Sequence, residues 1–456
     1  MKKDLIKHKK TALLILSLAW PTIMEQIMQT AVQYIDTAMV GSLGTEATAA
    51  VGSTTTVGWL VFSSISALSV GFLSRIAISC GARNFNDAKK TASQAVFVTL
   101  LTGIISTVLL LSLSGVIPKL MQVDTSILPQ ASRYFFILYL PMLPRCASTV
   151  FSTVLRGAGD TKTPMKVGIA VNLINVLLNL LLIYPSRNID ILGMQIFMPG
   201  ADLGVDGAAI ASATAFTVGG IMITVALFKH PQLKPTLADM RPDKSILAPC
   251  FRVAIPNMLQ RFCTSLGYVV FASMINSVGD VATATHTIAN TVESAFYIPG
   301  FGMQTAAATL IGNAYGARDE GQMKKVSAMF IPIELILMTL SGLALFFLAP
   351  TLMGLFSSNA DVISLGTTVL RMVSVTEPFY GIAIILEGML LGIGQTKTPF
   401  IYNLIGMWGV RIVGTFICTQ LVGLGLIAAW GCMIAHNLLL CLMFYVNYKK
   451  GKWYTV

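Results

Sequence analysis

Leu155-Arg-Gly-Ala-Gly-Asp-Thr-Lys-Thr-Pro164 returns 235 positions later as Leu390-Leu-Gly-Ile-Gly-Gln-Thr-Lys-Thr-Pro399, with seven of the ten residues identical. The same offset pairs Pro21 with Pro256, Gly44 with Gly279, Gly81-Ala82-Arg83 with Gly316-Ala317-Arg318, and Lys89-Lys90 with Lys324-Lys325. A register kept from Pro21 to Pro164 makes the chain two copies of one unit. A duplicated membrane unit is the usual architecture of a secondary transporter.

Composition agrees with a lipid solvent. Of the 456 residues, 55% are hydrophobic and 11% charged, against about 25% charged in soluble domains. The net charge of +11 does not form one long basic patch, so nucleic acid is not the expected partner. The bases lie in short loops and at the termini, which is a topology signal. The seven cysteines (80, 146, 250, 263, 418, 432 and 441) make no CxxC pair, so neither a metal site nor a disulfide framework is expected. No GxxxxGK[ST], HExxH, GxSxG or TVGYG occurs, which removes P-loop ATPases, zincins, α/β-hydrolases and K⁺ filters from consideration. The basic stretch Met1–Lys10 leads into an apolar run without a cleavage site, read as a retained helix.

Runs of about 20 apolar residues span a bilayer as helices. Twelve are expected: 12–40, 49–75, 92–117, 130–155, 163–184, 205–228, 247–276, 281–312, 327–349, 364–391, 399–422 and 424–446. The N-terminus carries five Lys, the C-terminus Lys449, Lys450 and Lys452, and the loops after even-numbered spans most of the remaining bases. The opposite loops hold little beyond Lys119 and Arg187. Both termini are therefore expected in the cytoplasm. Six spans per half enter and leave on one side, so the halves are parallel repeats: 1–228 and 247–456, joined by a cytoplasmic linker, 229–246. The segment 185–203 reads as an outer loop present in the first half alone.

Ionisable and amide groups inside lipid need a reason. Asp36 lies near the outer end of the first span, Asn175 and Asn179 one turn apart on the fifth, and Ser212 and Thr214 near the start of the sixth. A carboxylate, amides and hydroxyls at one depth suit a hard monovalent cation or a proton. They form a coupling-site candidate for Na⁺ or H⁺, with Asp36, Asn175 and Asn179 as Na⁺ ligands. The alternative is structural: Asp36 as a capping or pairing group and the amides bonding neighbouring helices. Near mid-depth, Glu25, Arg145, Arg261, Glu293, Glu377 and Arg411 balance in sign, as expected for ion pairs across a cleft. Glu293, with His286 two turns before it, can bind a cationic substrate, carry a proton or pair with Arg261. Glu387 is expected to be wetted at the cytoplasmic end; Glu334 and Arg371 carry no assignment. Pro21 and Pro256 sit inside the first span of each half, as hinges or as packing kinks.

These residues resemble prokaryotic members of the multidrug and toxic compound extrusion (MATE) family of efflux transporters. The likeness is carried by Pro21-Thr-Ile-Met-Glu-Gln through Asp36-Thr-Ala-Met-Val-Gly41, by the repeated ten-residue motif, by Asn175…Asn179 with Gly204–Ser212, and by His286…Asn290…Glu293…Pro299-Gly-Phe-Gly302. The resemblance implies an all-α membrane protein with two six-helix lobes around a V-shaped cleft. It implies a monomer in the cell's inner membrane, needing no cofactor, that exchanges small amphipathic or cationic drugs for Na⁺ or H⁺. It also implies that Asp36, Asn175 and Asn179 form the first-lobe cation site, with Ser212 where the family usually has Thr. NorM-type members carry acids on the seventh and tenth helices; here 256–264 has no carboxylate and the tenth-helix position is Tyr380. A lipid-linked oligosaccharide flippase of the same superfamily is the rival reading. Twelve spans and a charge-balanced interior argue against it, and no catalytic constellation points to an enzyme.

Overall fold

The computed structural model describes residues 2–121, 123–191 and 194–451, and Lys452 lies outside them. The chain is mostly helical. The first half runs α1 (Lys2–Gly41), α2 (Thr45–Gly81), α3 (Phe85–Ser112), a single turn α4 (Ile117–Leu120), α5 (Leu128–Tyr139), α6 (Met142–Gly157) and α7 (Lys162–Leu182). Strands β1 (Pro185–Ile191) and β2 (Met194–Ala201) follow, then α8 (Gly204–Lys229). The second half runs α9 (Lys244–Asn276), α10 (Asp280–Phe296), α11 (Ile298–Gly316), α12 (Glu320–Phe356), α13 (Ala360–Ser374), α14 (Glu377–Gly392), α15 (Lys397–Leu404), α16 (Val413–Phe416) and α17 (Leu426–Lys450). Wide π-turns at Ile405–Ile412 and Ile417–Leu421 flank α16 within one continuous span.

Among the described residues, 9 helical segments are long and apolar enough to cross a membrane. The number is 11 if α5–α6, bent by 49°, and α13–α14, bent by 53°, each count as one. Pro141 and Pro378 stand at those bends, where the ring disfavours helix at the preceding residue. The expected span 281–312 divides at Tyr297, just before Pro299, into α10 and α11. It is missing from the apolar set because α10 has 17 residues and α11 is rich in Gly, Ala, Thr, Gln and Asn, which lower its hydropathy; Gln304, Thr309 and twelve residues in all of α11 are buried. Segment 185–203, expected as an outer loop, is instead an antiparallel hairpin pairing Pro185 with Ala201 and Ile191 with Met194. Ser186, Arg187, Asn188, Asp190 and Gln195 keep its mean hydropathy low, so a search for apolar runs passes over it.

The duplication is written into the backbone. Left-handed φ values recur at the 235-residue offset in Gly44 (112°) and Gly279 (138°), Gly159 (88°) and Gly394 (78°), and Arg83 (56°) and Arg318 (54°). Asn84 caps α3 through Asp87 N, and Asp319 caps α12 through Gln322 N, at the same offset. The two copies meet where α2 crosses α11. A Cβ at Gly81 would stand 1.9 Å from the Asn313 carbonyl oxygen, and one at Gly316 1.9 Å from that of Ile78. These two contacts are images of each other under the offset, and only glycine permits them. Each first helix also crosses to the other copy: Gly71 of α2 lies against Cys250 of α9, and Gly302 of α11 against Ile23 of α1.

Size is sorted inside out. Ala88, Ala92 and Ala95 of α3 are buried, whereas Leu100, Leu101, Ile104, Ile105 and Val108 face outward. Small residues between helices and large apolar ones outside are what a lipid solvent selects. Both α1 and α9 continue as helix through Pro21 and Pro256.

Candidate functional site

Three helices bring the first-half polar residues together. Asn179 Nδ2 of α7 donates to Asp36 Oδ1 of α1 at 2.6 Å. The Asn175 amide, one turn earlier, places its nitrogen 2.8 and 3.1 Å from the two Asp36 oxygens, while its oxygen accepts from Ser212 Oγ of α8 at 3.1 Å. This orientation is the one a bare carboxylate selects, because the reverse sets oxygen against oxygen. Asn175 and Asn179 are 5% and 1% exposed, and Asp36 is half-buried. The Asn179 Oδ1 atom is buried without a hydrogen-bond partner, an oxygen open to a ligand. The i, i+4 spacing on α7 makes the pair one surface. Thr214, grouped with Ser212 in the sequence reading, is exposed and outside the network. Two residues along a helix is more than half a turn, which points it away.

Just beyond the site, Tyr184 OH lies 2.8 Å from Ser42 Oγ and donates to Met39 O at 3.2 Å. This clasp ties the end of α1 to the end of α7.

The six mid-depth charges do not pair as expected. Glu25, 6% exposed, is held by Arg156 Nη2 at 2.6 Å, a base of the ten-residue motif to which the sequence reading assigned no role. Arg145 is held by aromatic rings, its guanidinium 4.5 Å from the Phe216 centroid and 5.7 Å from Tyr139. Arg261 is exposed, and the cation whose field reaches Glu293 is Arg411. Arg411 is itself stacked on Phe271 at 4.1 Å and Tyr268 at 4.8 Å. A long flexible base on an exposed helix face snorkels outward, and sign balance in a sequence cannot reveal that.

Around Arg411 the second half gathers a set of buried polar groups. His286 packs edge-on against Phe271 and Trp430, with centroids 5.4 and 6.0 Å apart. Tyr297 and Tyr380 stand edge to face at 5.9 Å. Both oxygens of Glu377 and of Glu334, both ring nitrogens of His436, Nδ1 of His286 and Nε of Arg411 are buried without a hydrogen-bond partner. His436 escaped the sequence reading, although a histidine within the last apolar span is itself an intramembrane signal. Glu334 is wedged between helices, its Oε1 standing 3.0 Å from where a Cβ at Gly300 would be and 2.9 Å from one at Gly381. Glu387, expected to be wetted, is half-buried and accepts from Gln260 Nε2 at 2.6 Å.

Comparison with known proteins matches the family model MatE to residues 21–181 and again to 256–417. Among curated relatives, the probable multidrug resistance protein NorM of Thermotoga maritima is 28% identical, covering 99% of this chain and 93% of its own length. The probable multidrug resistance protein YoeA of Bacillus subtilis is 25% identical, covering 90% and 87%. Among solved structures, one described as the outward-facing conformation of a multidrug resistance MATE family transporter of the MOP superfamily superposes with a TM-score of 0.87. It is 24% identical and covers 96% of this chain and 95% of that one. A MOP superfamily transporter from Pyrococcus furiosus, described as having a binding pocket of reverse polarity, gives a TM-score of 0.86 at 24% identity, covering 97% and 96%. At these identities the structural likeness speaks for the fold.

Proposed function

The chain belongs to the MatE family, and from that premise we infer that it is a secondary multidrug efflux transporter. It exports small cationic or amphipathic compounds across the cell membrane in exchange for Na⁺ or H⁺. On this reading α10 and α11 together supply the eighth of twelve spans. Two six-helix lobes, 1–228 and 247–456, flank a cytoplasmic linker at 229–246, and the Lys and Arg bias puts both termini in the cytoplasm. The transporter works as a monomer in lipid, without a cofactor.

The observation that carries the coupling role is the Asp36 network. Its carboxylate sits within the first span and takes its hydrogen bonds from two buried amides. Loss of its charge, by proton or by cation, removes the reason for the amide nitrogens to face it. The Asn175 amide can then turn over. Its oxygen meets the protonated carboxyl or the cation, and its nitrogen donates to Ser212 Oγ, still 3.1 Å away. The buried Asn179 Oδ1 adds a further ligand oxygen. One side-chain rotation on α7 therefore reports the state of α1, and repacking of α1 against α7 couples that state to lobe rocking between outward and inward access.

The test is efflux of a fluorescent organic cation from sealed proteoliposomes, with Na⁺ and H⁺ gradients imposed separately. Efflux driven by one gradient and lost in Asp36→Asn establishes antiport and names the ion. No efflux under either gradient transfers the assignment to the lipid-linked oligosaccharide flippase.

A further inference from the structure

Leu100, Leu101, Ile104, Ile105 and Val108 form the outward stripe of α3. Ser93 and Gln94, seven residues before Leu100 and Leu101, fall within about 20° of that stripe by helical phase. They should face outward with it, yet they are 0% and 1% exposed. The segment that joins the two halves lies over them. Thr236 N donates to Ser93 Oγ at 3.0 Å. Gln94 Nε2 donates to Asp239 O and to Arg241 O, each at 2.6 Å, and Asp243 N donates to Gln94 Oε1 at 3.1 Å. These hydrogen bonds strap the segment to the outer face of α3, and Leu233, just before the strap, is fully buried.

The second half has the same stripe without the strap. At the 235-residue offset Leu100, Leu101, Ile105 and Val108 become Leu335, Ile336, Leu340 and Leu343 of α12, all exposed. Ser93 and Gln94 become Ala328, which is exposed, and Met329, which is half-buried. The stripe stays apolar where nothing crosses it and turns polar where the strap needs partners.

Seven residues of helix rise about 10 Å, so the strap lies that far below the first lipid-facing leucines of α3. The polar layer on each side of the hydrocarbon is roughly 5–8 Å thick. The strap therefore sits at headgroup depth, on a side of the molecule that faces lipid. Its short turn Leu237–Met240 presents Leu237 at 83% exposure. Lys234, Arg241 and Lys244 near it are exposed and make no ion pair among the described residues. The two acids of the strap are engaged: Asp239 accepts from Thr236 Oγ1, and Asp243 caps α9 through Ser245 N at 2.8 Å and faces Lys90 and Arg75. A bare leucine among free bases at that depth is costly in water and complementary to an anionic lipid surface.

We propose that the strap is a docking surface for anionic phospholipid: Leu237 enters the interface, and Lys234, Arg241 and Lys244 hold headgroup phosphates. The inference goes beyond the transport reading and needs only that the chain spans a membrane.

Full-length protein with a solvatochromic coumarin amino acid in place of Leu237 tests it. In vesicles of phosphatidylcholine mixed with phosphatidylglycerol, its emission should be blue-shifted and quenched by phospholipid bearing a nitroxide at a shallow acyl carbon. The same amino acid in place of Glu320, eight residues before Ala328, should stay open to aqueous acrylamide. Acrylamide quenching at 237 as strong as at 320 overturns the proposal and leaves the face to a soluble partner. In detergent, titration with phosphatidylglycerol should shift the emission at 237, and phosphatidylcholine should not match it. The half-saturating amount should rise about fivefold for each of Lys234→Gln, Arg241→Gln and Lys244→Gln, in variants that elute as single monodisperse peaks. An equal response to the two lipids overturns the proposal, and so does an unchanged titration in the triple variant.

Discussion

Asp36 and Glu377 are both carboxylates within helical spans, but their surroundings differ. Asp36 has two amide donors within hydrogen-bond distance, and one of those amides is anchored by Ser212. Glu377, 1% exposed, has no partner on either oxygen, and the second half holds further orphans in His286, Arg411 and His436. Around Asp36 the first half uses short side chains on three helices, with Asn179 Oδ1 left without a partner. The second has surrounded its polar groups with Tyr268, Phe271, Tyr297, Tyr380 and Trp430. A network anchored on a carboxylate holds its amides in one geometry, whereas orphaned groups behind aromatic walls are costly until something meets them. The asymmetry agrees with the proposed coupling role of Asp36 and sets aromatic walls around the buried polar groups of the second half.

The comparison is most exposed to Asp36→Asn. Gradient-driven efflux should fall to the level of protein-free vesicles while membrane insertion is unchanged, and normal efflux would falsify the coupling role. Next in size is Glu25→Gln, which leaves the half-buried Arg156 without its ion pair. It should cost about 3–5 kcal/mol of stability in detergent unfolding. Adding Arg156→Leu copies the pair found in the second half, Gln260 and Leu391, and should recover most of the loss. If the double variant is as unstable as the single, the two loci are not equivalent. Gly316→Ala sets a Cβ against the Ile78 carbonyl and should loosen the α2–α11 crossing by about 1–3 kcal/mol. The readout is faster maleimide labelling of Cys80, adjacent to Gly81, and unchanged labelling argues against a tight seal there. The smallest contrast lies within α8. Ser212→Ala leaves the Asn175 oxygen without its donor, worth about 1–3 kcal/mol, and should weaken the coupling-ion dependence of efflux. Thr214→Ala should change stability by less than about 0.5 kcal/mol and leave efflux alone; equal effects would restore Thr214 to the site.

What could be read in advance follows from what each signal encodes. Asp36, Asn175 and Asn179 were legible because helical spacing and depth in the bilayer fix which side chains meet. Thr214 failed because depth alone ignores helical phase. Arg156 fell just past the expected span 130–155, whereas α6 runs to Gly157 and carries the residue in its last turn. The six balanced charges misled because aromatic stacking, as on Arg145 and Arg411, satisfies a guanidinium without any acid. The eighth expected span breaks at Tyr297, two residues before Pro299, which a hydropathy run does not register, and the hairpin after α7 is a strand pairing that a search for apolar spans does not test.

The clasp of Tyr184 on Ser42 and Met39 acquires its meaning together with the contact of Ile23 on Gly302. Between those two fastenings α1 is a beam clamped at both ends. Asp36 lies close to one clamp, and Pro21 just outside the other. A change of charge at Asp36 cannot swing α1 as a free lever. It must buckle the stretch from Ile23 to Met39 or drag α7 along with it, so on the proposed coupling role the effect of a charge change at Asp36 reaches a neighbour as sideways thrust.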